Sequence, residues 1–208
     1  MSIALEVAGL SCRRGDARLF TNLAFHVEPG SALCIRGPNG SGKTTLLRCV
    51  VGLSCADGGE IRWRGTSVGL RDAAWRACVA WSGHLAAIKD DMTAEENLAF
   101  ALRLRGMIPS SRQLDDALDG AGLAARRRLA ARRLSAGQRR RIGLARLSLD
   151  PATVWVLDEP LTALDDEGQT FFTSLLSKHI GNGGLALVAT HHSLAIDPSR
   201  SRELRLVS

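Results

Sequence analysis

The stretch Gly37, Pro38, Asn39, Gly40, Ser41, Gly42, Lys43, Thr44 and Thr45 has the residue types needed to hold a phosphate chain. It fits the spacing G-x-x-x-x-G-K-[ST]. Glycines let the backbone wrap closely around phosphate oxygens. Their amides, with the N-terminus of a following helix, present partial positive charge. Lys43 would reach the outer phosphates, and the Thr44 hydroxyl is placed to ligate Mg2+. A second acidic element lies far along the chain, where the apolar run TVWVL ends in Asp158-Glu159. Asp158 would hold Mg2+ through water, and Glu159 would polarise an attacking water. A third stretch, RLSAGQRRR at Arg133–Arg141, places serine, glycine and glutamine at a helix start with arginines behind. It too is suited to phosphate.

These residues need strands and helices to aim them. Ala32–Gly37 is a short apolar run of the kind found in a strand covered on both faces, and GKTTLLRCVVGL predicts the helix after the loop, ending near Gly52. IALEVAGL and NLAFHVEPG alternate with period two, and EIRWRG adds another strand. The middle of the chain is helical. TAEENLAFALRLRG opens with a capping box, Thr93 with Glu96. SSRQLDDALDGAGL follows Pro109, and SAGQRRRIGLARLSL carries Ile142, Leu144, Ala145 and Leu149 at roughly helical spacing. The α/β alternation then returns: strand TVWVLDEP, helix DEGQTFFTSLLSKHI, strand LALVATHH and a closing RELRLVS, after which no regulatory tail is expected.

Composition excludes several classes. The 208 residues suit one domain, and 45% of them are apolar. No apolar run approaches the roughly 18–20 residues that span a bilayer. MSIALEVAGL lacks the basic start and cleavage pattern of a signal peptide. The cysteines, Cys12, Cys34, Cys49, Cys55 and Cys78, form no CxxC pair and read as buried reduced thiols, which favours the cytosol. The net charge is +6, and lysine occurs only at Lys43, Lys89 and Lys178. Arginines gather between Arg126 and Arg146 without interleaved aromatics. That pattern points to a nucleotide or anionic headgroups rather than to nucleic acid.

The P-loop at Gly37–Thr45, LSAGQ at Leu134–Gln138, VWVLDEP at Val154–Pro160, LTALD at Leu161–Asp165 and ATHH at Ala189–His192 occur in this order. Together they resemble the nucleotide-binding subunit of an ABC transporter over nearly the whole chain. The resemblance implies an α/β fold: a P-loop NTPase (RecA-like) core with an N-terminal antiparallel β subdomain and an inserted helical subdomain. One ATP-binding domain is expected, with its core in 1–84 and 151–208 and its helical part in 85–150. The resemblance also implies ATP with Mg2+, and a head-to-tail pair of subunits. Each ATP would lie between the P-loop of one copy and Ser135, Gly137 and Gln138 of the other. Asp165 resembles the aspartate that links the two sites. His191 resembles the switch histidine that works with Glu159, with its neighbour His192 the weaker choice. Integral membrane permease subunits are the implied partners, on the cytoplasmic face of a bacterial inner membrane, and no nucleic acid is expected.

Two family elements depart from the pattern. The chain has no tyrosine to stack the adenine, and the matching region reads GLSCRRGD, where Arg13 or Arg14 would have to stack instead. A loop glutamine is replaced by His84 or Leu85 in CVAWSGHLAAIKDDMTAEENL. That stretch, LSAGQRRRIGLARL and the short C-terminus are similar to the ATP-binding subunits of the haem exporters of cytochrome c maturation. Export of another cargo, such as a lipid or a drug-like molecule, and a soluble non-transport ATPase are the alternatives.

Overall fold

The computed structural model describes residues 4–69, 72–83 and 87–207. The chain divides into two compact units. One comprises Met1–Gly83, Ala152–Glu159 and Leu176–Ser208; the other comprises His84–Pro151 and Pro160–Leu175.

The first unit holds two sheets. Strands β1 (Leu5–Arg14), β2 (Ala17–Val27), β4 (Gly58–Trp63) and β5 (Thr66–Ser67) form an antiparallel sheet in the order β2-β1-β4-β5. The β1–β2 pairing carries register shifts between Val7 and Leu10 and again after Leu10. Gly59 crosses so near this irregularity that a Cβ there would lie 2.5 Å from the Leu10 Cα. The second sheet is parallel, in the order β6-β7-β8-β3-β9, with β3 at Ala32–Arg36, β6 at Val79–Ser82, β7 at Val154–Asp158, β8 at Leu185–Ala189 and β9 at Ser201–Arg205. Its central strands β7 and β8 are buried along their whole length. That explains why VWVL and LALVA read as unbroken apolar runs, since both faces are covered. Each such Leu, Ile or Val contributes about 1.5–3 kcal/mol by leaving water. Helix α1 (Lys43–Val50) inserts Leu46, Leu47 and Val50 into the same core. Helix α2 (Ala73–Cys78) begins at an Asp72 cap and buries Trp75, whose indole N–H donates to the Val50 carbonyl at 2.9 Å.

The second unit is built from α3 (Ala94–Arg103), α4 (Ser111–Gly120) and α5 (Ala136–Leu149), around a core of Leu98, Leu102, Leu118, Leu123 and Ile142. All three helices start with a capping box: Thr93 with Glu96, Ser110 with Gln113, and Ser135 with Gln138. Only the first of these is anticipated above. Helix α6 (Asp166–Gly181) begins in this unit and ends in the first. On α5, Ile142, Leu144 and Ala145 are buried as the spacing predicts, but Leu149 is only half-buried, and Arg140 and Arg141 are buried instead.

Candidate active site

The first unit assembles one group of the residues singled out above. Strand β3 runs into the loop Gly37–Gly42, and α1 starts at Lys43. Gly42 precedes the helix at φ 94°, a left-handed conformation that suits glycine, and no side chain caps the helix start. The first-turn amides are thereby left to an outside acceptor. A Cβ on Gly37 would meet the Leu206 carbonyl at 2.5 Å and the Ser41 hydroxyl at 2.6 Å. The Ser41 Oγ is buried and has no hydrogen-bond partner among the described residues. An orphaned hydroxyl inside a glycine loop fits a phosphate oxygen.

Lys43 is buried, and its ammonium donates to the carbonyls of Gly37 (2.7 Å) and Pro38 (3.2 Å). The Thr44 hydroxyl donates to Asp158 Oδ2 at 2.8 Å, joining α1 to the end of β7. Among the described residues no group of three His, Cys, Asp or Glu could hold a metal alone. Thr44 and Asp158 therefore form a two-point set that suits Mg2+ bringing phosphate oxygens and water as its remaining ligands.

Strand β8 lies between β3 and β7, so three neighbouring strands deliver the three parts of the site. Glu159 follows β7 at φ 49°, unusual for a residue with a side chain, and its amide donates to the Ala189 carbonyl at 2.8 Å. Beyond Ala189 and a fully buried Thr190, His191 brings Nε2 to 3.4 Å from Glu159 Oε1 and 3.2 Å from Lys43 Nζ. His192 lends its backbone N–H to the Thr190 hydroxyl at 3.1 Å. Arg36, which sequence reasoning missed, donates to the Thr190 carbonyl at 3.2 Å and pairs with Glu203 at 3.6 Å. It steadies the approach to His191. Arg13 and Arg14 at the end of β1 are both exposed, and Arg13 pairs with Asp57. His84 and Leu85 lie outside the described residues.

Ser135, Gly137, Gln138 and Asp165 gather in the second unit, around a cavity of about 370 Å³. Ser135 caps α5: its Oγ accepts from the Gln138 amide, and the Gln138 side chain accepts from the Ser135 amide. A Cβ on Gly137 would lie 2.5 Å from the Ala163 carbonyl, and Ala163 sits at φ 64°. Arg141 clamps this region, donating to Asp165, to Glu167 at 2.9 Å and to the Ala121 carbonyl at 3.3 Å. That bond holds the Asp165 carboxyl below its ordinary range, helped by the Gly168 amide. The clamp had a sequence signal. Arg141 stands three and four residues before Leu144 and Ala145, on the apolar stripe. The cysteine reading needs correction at two positions: Cys12, Cys34 and Cys49 are buried, but Cys55 is exposed and Cys78 only half-buried. Cys55 lies in the irregular loop after α1, and Cys78 ends the short helix α2. Burial pushes the Cys49 thiol up to about 12.

A strand, a glycine loop and a helix, facing an acidic strand end, define a P-loop nucleotide site. The chain matches the family model described as ABC transporter over residues 20–162. It is 46% identical to the cytochrome c biogenesis ATP-binding export protein CcmA of Nitrosomonas europaea, covering 92% of this chain and 90% of that protein. It is 43% identical to the protein of the same description from Dechloromonas aromatica, covering 97% and 99%. Among solved structures it resembles a putative ABC transporter ATP-binding protein from Pyrococcus furiosus, with TM-score 0.82, 23% identity, and coverage of 97% and 96%. A dimeric ATP-binding cassette in a post-hydrolysis state, bound to ADP and Pi, aligns with TM-score 0.79 at 22% identity over 90% of this chain and 88% of that one. The chain belongs to the ABC transporter family, within the group of cytochrome c biogenesis ATP-binding export proteins.

Proposed function

We propose that this chain is the ATP-hydrolysing subunit of a membrane exporter serving cytochrome c biogenesis, of the haem-export type. It works as a head-to-tail pair on the cytoplasmic face of the inner membrane, held there by integral permease subunits. The shared description of its relatives supports the export role. No helix among the described residues is long and apolar enough to cross a membrane. The haem-export type rests on the family resemblance carried by SGHLAAIKDDMTAEENL, LSAGQRRRIGLARL and the short C-terminus together, not on any residue of this chain that would hold haem. The observation that carries the enzymatic reading is the chain of contacts Glu159–His191–Lys43 above the Thr44–Asp158 pair.

The loop amides and Lys43 bind the phosphates. Thr44 and Asp158 would hold Mg2+, which when bound supplies positive charge against the charge building on the transferred phosphoryl group. The Glu159 carboxylate accepts a proton from water as the water oxygen attacks the γ-phosphorus and the bond to the bridging oxygen breaks. That proton passes on to the phosphate released. His191 Nε2 cannot accept from Lys43 and donate to Glu159 at once. An arriving phosphate draws Lys43 toward itself and frees Nε2 to carry a proton facing Glu159 and the γ-phosphate. Ser135, Gly137, Gln138 and Asp165 complete the pocket from the second copy.

The test is Glu159→Gln. Turnover should fall about 10²–10⁴-fold with ATP binding retained, and the variant should run as a dimer only with ATP and Mg2+. A variant that stays monomeric by light scattering under those conditions would count against the paired site.

A further inference from the structure

Much of the arginine run from Arg126 to Arg146 is engaged within the chain. Arg127 pairs with Asp115, Arg132 with Asp91, Arg139 with Asp90, Arg141 with Asp165 and Glu167, and Arg146 with Asp150. Arg126, Arg128 and Arg133 have no carboxylate partner among the described residues, and all three are exposed. Only one of these three lines the cavity at the start of α5: Arg126, beside Ser135, Gly137, Arg141, Asp165 and Glu167.

The charge of that wall decides what it can receive. Arg141 brings one positive charge and is engaged by two carboxylates, so this trio is net negative. An anion meeting it alone would be repelled. Arg126 restores neutrality and offers donors that no carboxylate occupies. Its position is fixed by the backbone. The turn Ala124–Arg126 hangs from the fully buried Leu123, the Arg126 amide donates to the Leu123 carbonyl at 2.9 Å, and the Leu129 amide donates to the Arg126 carbonyl at 2.9 Å.

We infer that Arg126 is a nucleotide-binding residue of the α5 half of the site, a cation that meets the polyphosphate of the ATP held by the partner copy. This rests on the paired-site reading above and adds to it a contact outside the LSAGQ stretch. Ser135 and the helix start supply neutral donors. Arg126 supplies the guanidinium of this wall whose donors no described carboxylate occupies.

The experiment uses the full chain in the Glu159→Gln background and measures ATP-dependent dimerisation by sedimentation velocity. Binding of ATP to single subunits is measured separately, well below the dimerisation concentration. Arg126→Ala should raise the dimer dissociation constant about a hundredfold, roughly tenfold for each of the two pockets a dimer closes. Arg126→Gln should fall between, and Arg126→Lys should recover most of the loss. ATP binding to single subunits should stay within about twofold, since the change is small on this scale. Arg128→Ala removes the same charge outside the cavity and should leave dimerisation within about twofold. Gly137→Val tests the paired site by displacing, within each chain, the turn that carries Ser135 from the bend at Ala163, and circular dichroism with a melting temperature near the parent's shows that each chain still folds. If Gly137→Val abolishes dimerisation while Arg126→Ala matches Arg128→Ala, the inference is overturned and the paired site stands. If Gly137→Val dimerises normally, both fall.

Discussion

Lys43 in the P-loop and Arg141 behind the α5 cavity are both buried cations, yet their partners differ in kind. Lys43 is held by two neutral carbonyls and approached by an imidazole. Arg141 is held by two carboxylates. A buried charge with only neutral partners keeps most of its field and most of its desolvation cost, and both are relieved when an anion arrives. A cation already matched by carboxylates has little left to offer a ligand and serves to fix geometry. The contrast separates a binding charge from a scaffolding charge using contacts alone.

Three measurements break or sharpen that contrast. Lys43→Ala should have the largest effect, with ATP turnover down by about 10²–10³-fold or more in a phosphate-release assay and little change in melting temperature. Unchanged turnover would end the reading of Lys43 as a binding charge. Arg141→Met should act the other way round. The Asp165 and Glu167 carboxylates are largely exposed, so their pairing is discounted, and stability should fall by only about 1–2 kcal/mol in urea unfolding. Nucleotide affinity of the single subunit should be nearly unaltered. A lost ATP affinity with unchanged stability would reverse the assignment. His179 gives the smallest effect and extends the rule to a neutral group. It stacks on Trp155 at 3.9 Å and contacts the Leu185 carbonyl at 3.1 Å. Burial lowers its pKa, against the opposing pull of that carbonyl. In the folded chain it therefore takes up a proton only at lower pH than in the unfolded chain. Stability is full above the unfolded value of roughly 6.5 and declines as pH falls from there toward the folded value. His179→Gln should flatten the drop in melting temperature between neutral and mildly acid pH.

How much of this was readable in advance follows from where the partners lie in the chain. The P-loop is contiguous, and Asp158-Glu159 ends an apolar strand, so both stood out in the sequence. Thr93 and Glu96 announced a helix start because a capping box is local. The roles of Arg36 and Arg141 were hidden, because the groups that hold them are distant. Arg36 bonds a carbonyl 154 residues away, and Arg141 bonds carboxylates 24 and 26 residues on. Spacing on the apolar stripe of α5 can mark Arg141 for burial, but no local pattern names the carboxylates it holds, and charge alone marks Arg36 as surface. The burial of Arg140, against the Pro160 carbonyl, was missed for the same reason.

The close approach of Gly137 to the Ala163 carbonyl has a mechanical consequence. With no room for even a methyl group between them, the turn that carries Ser135 bears directly on the bend that leads to Asp165. Neither can be pressed toward the other without moving it. Within one chain, a load placed on the serine is therefore carried directly to the bend beside the aspartate.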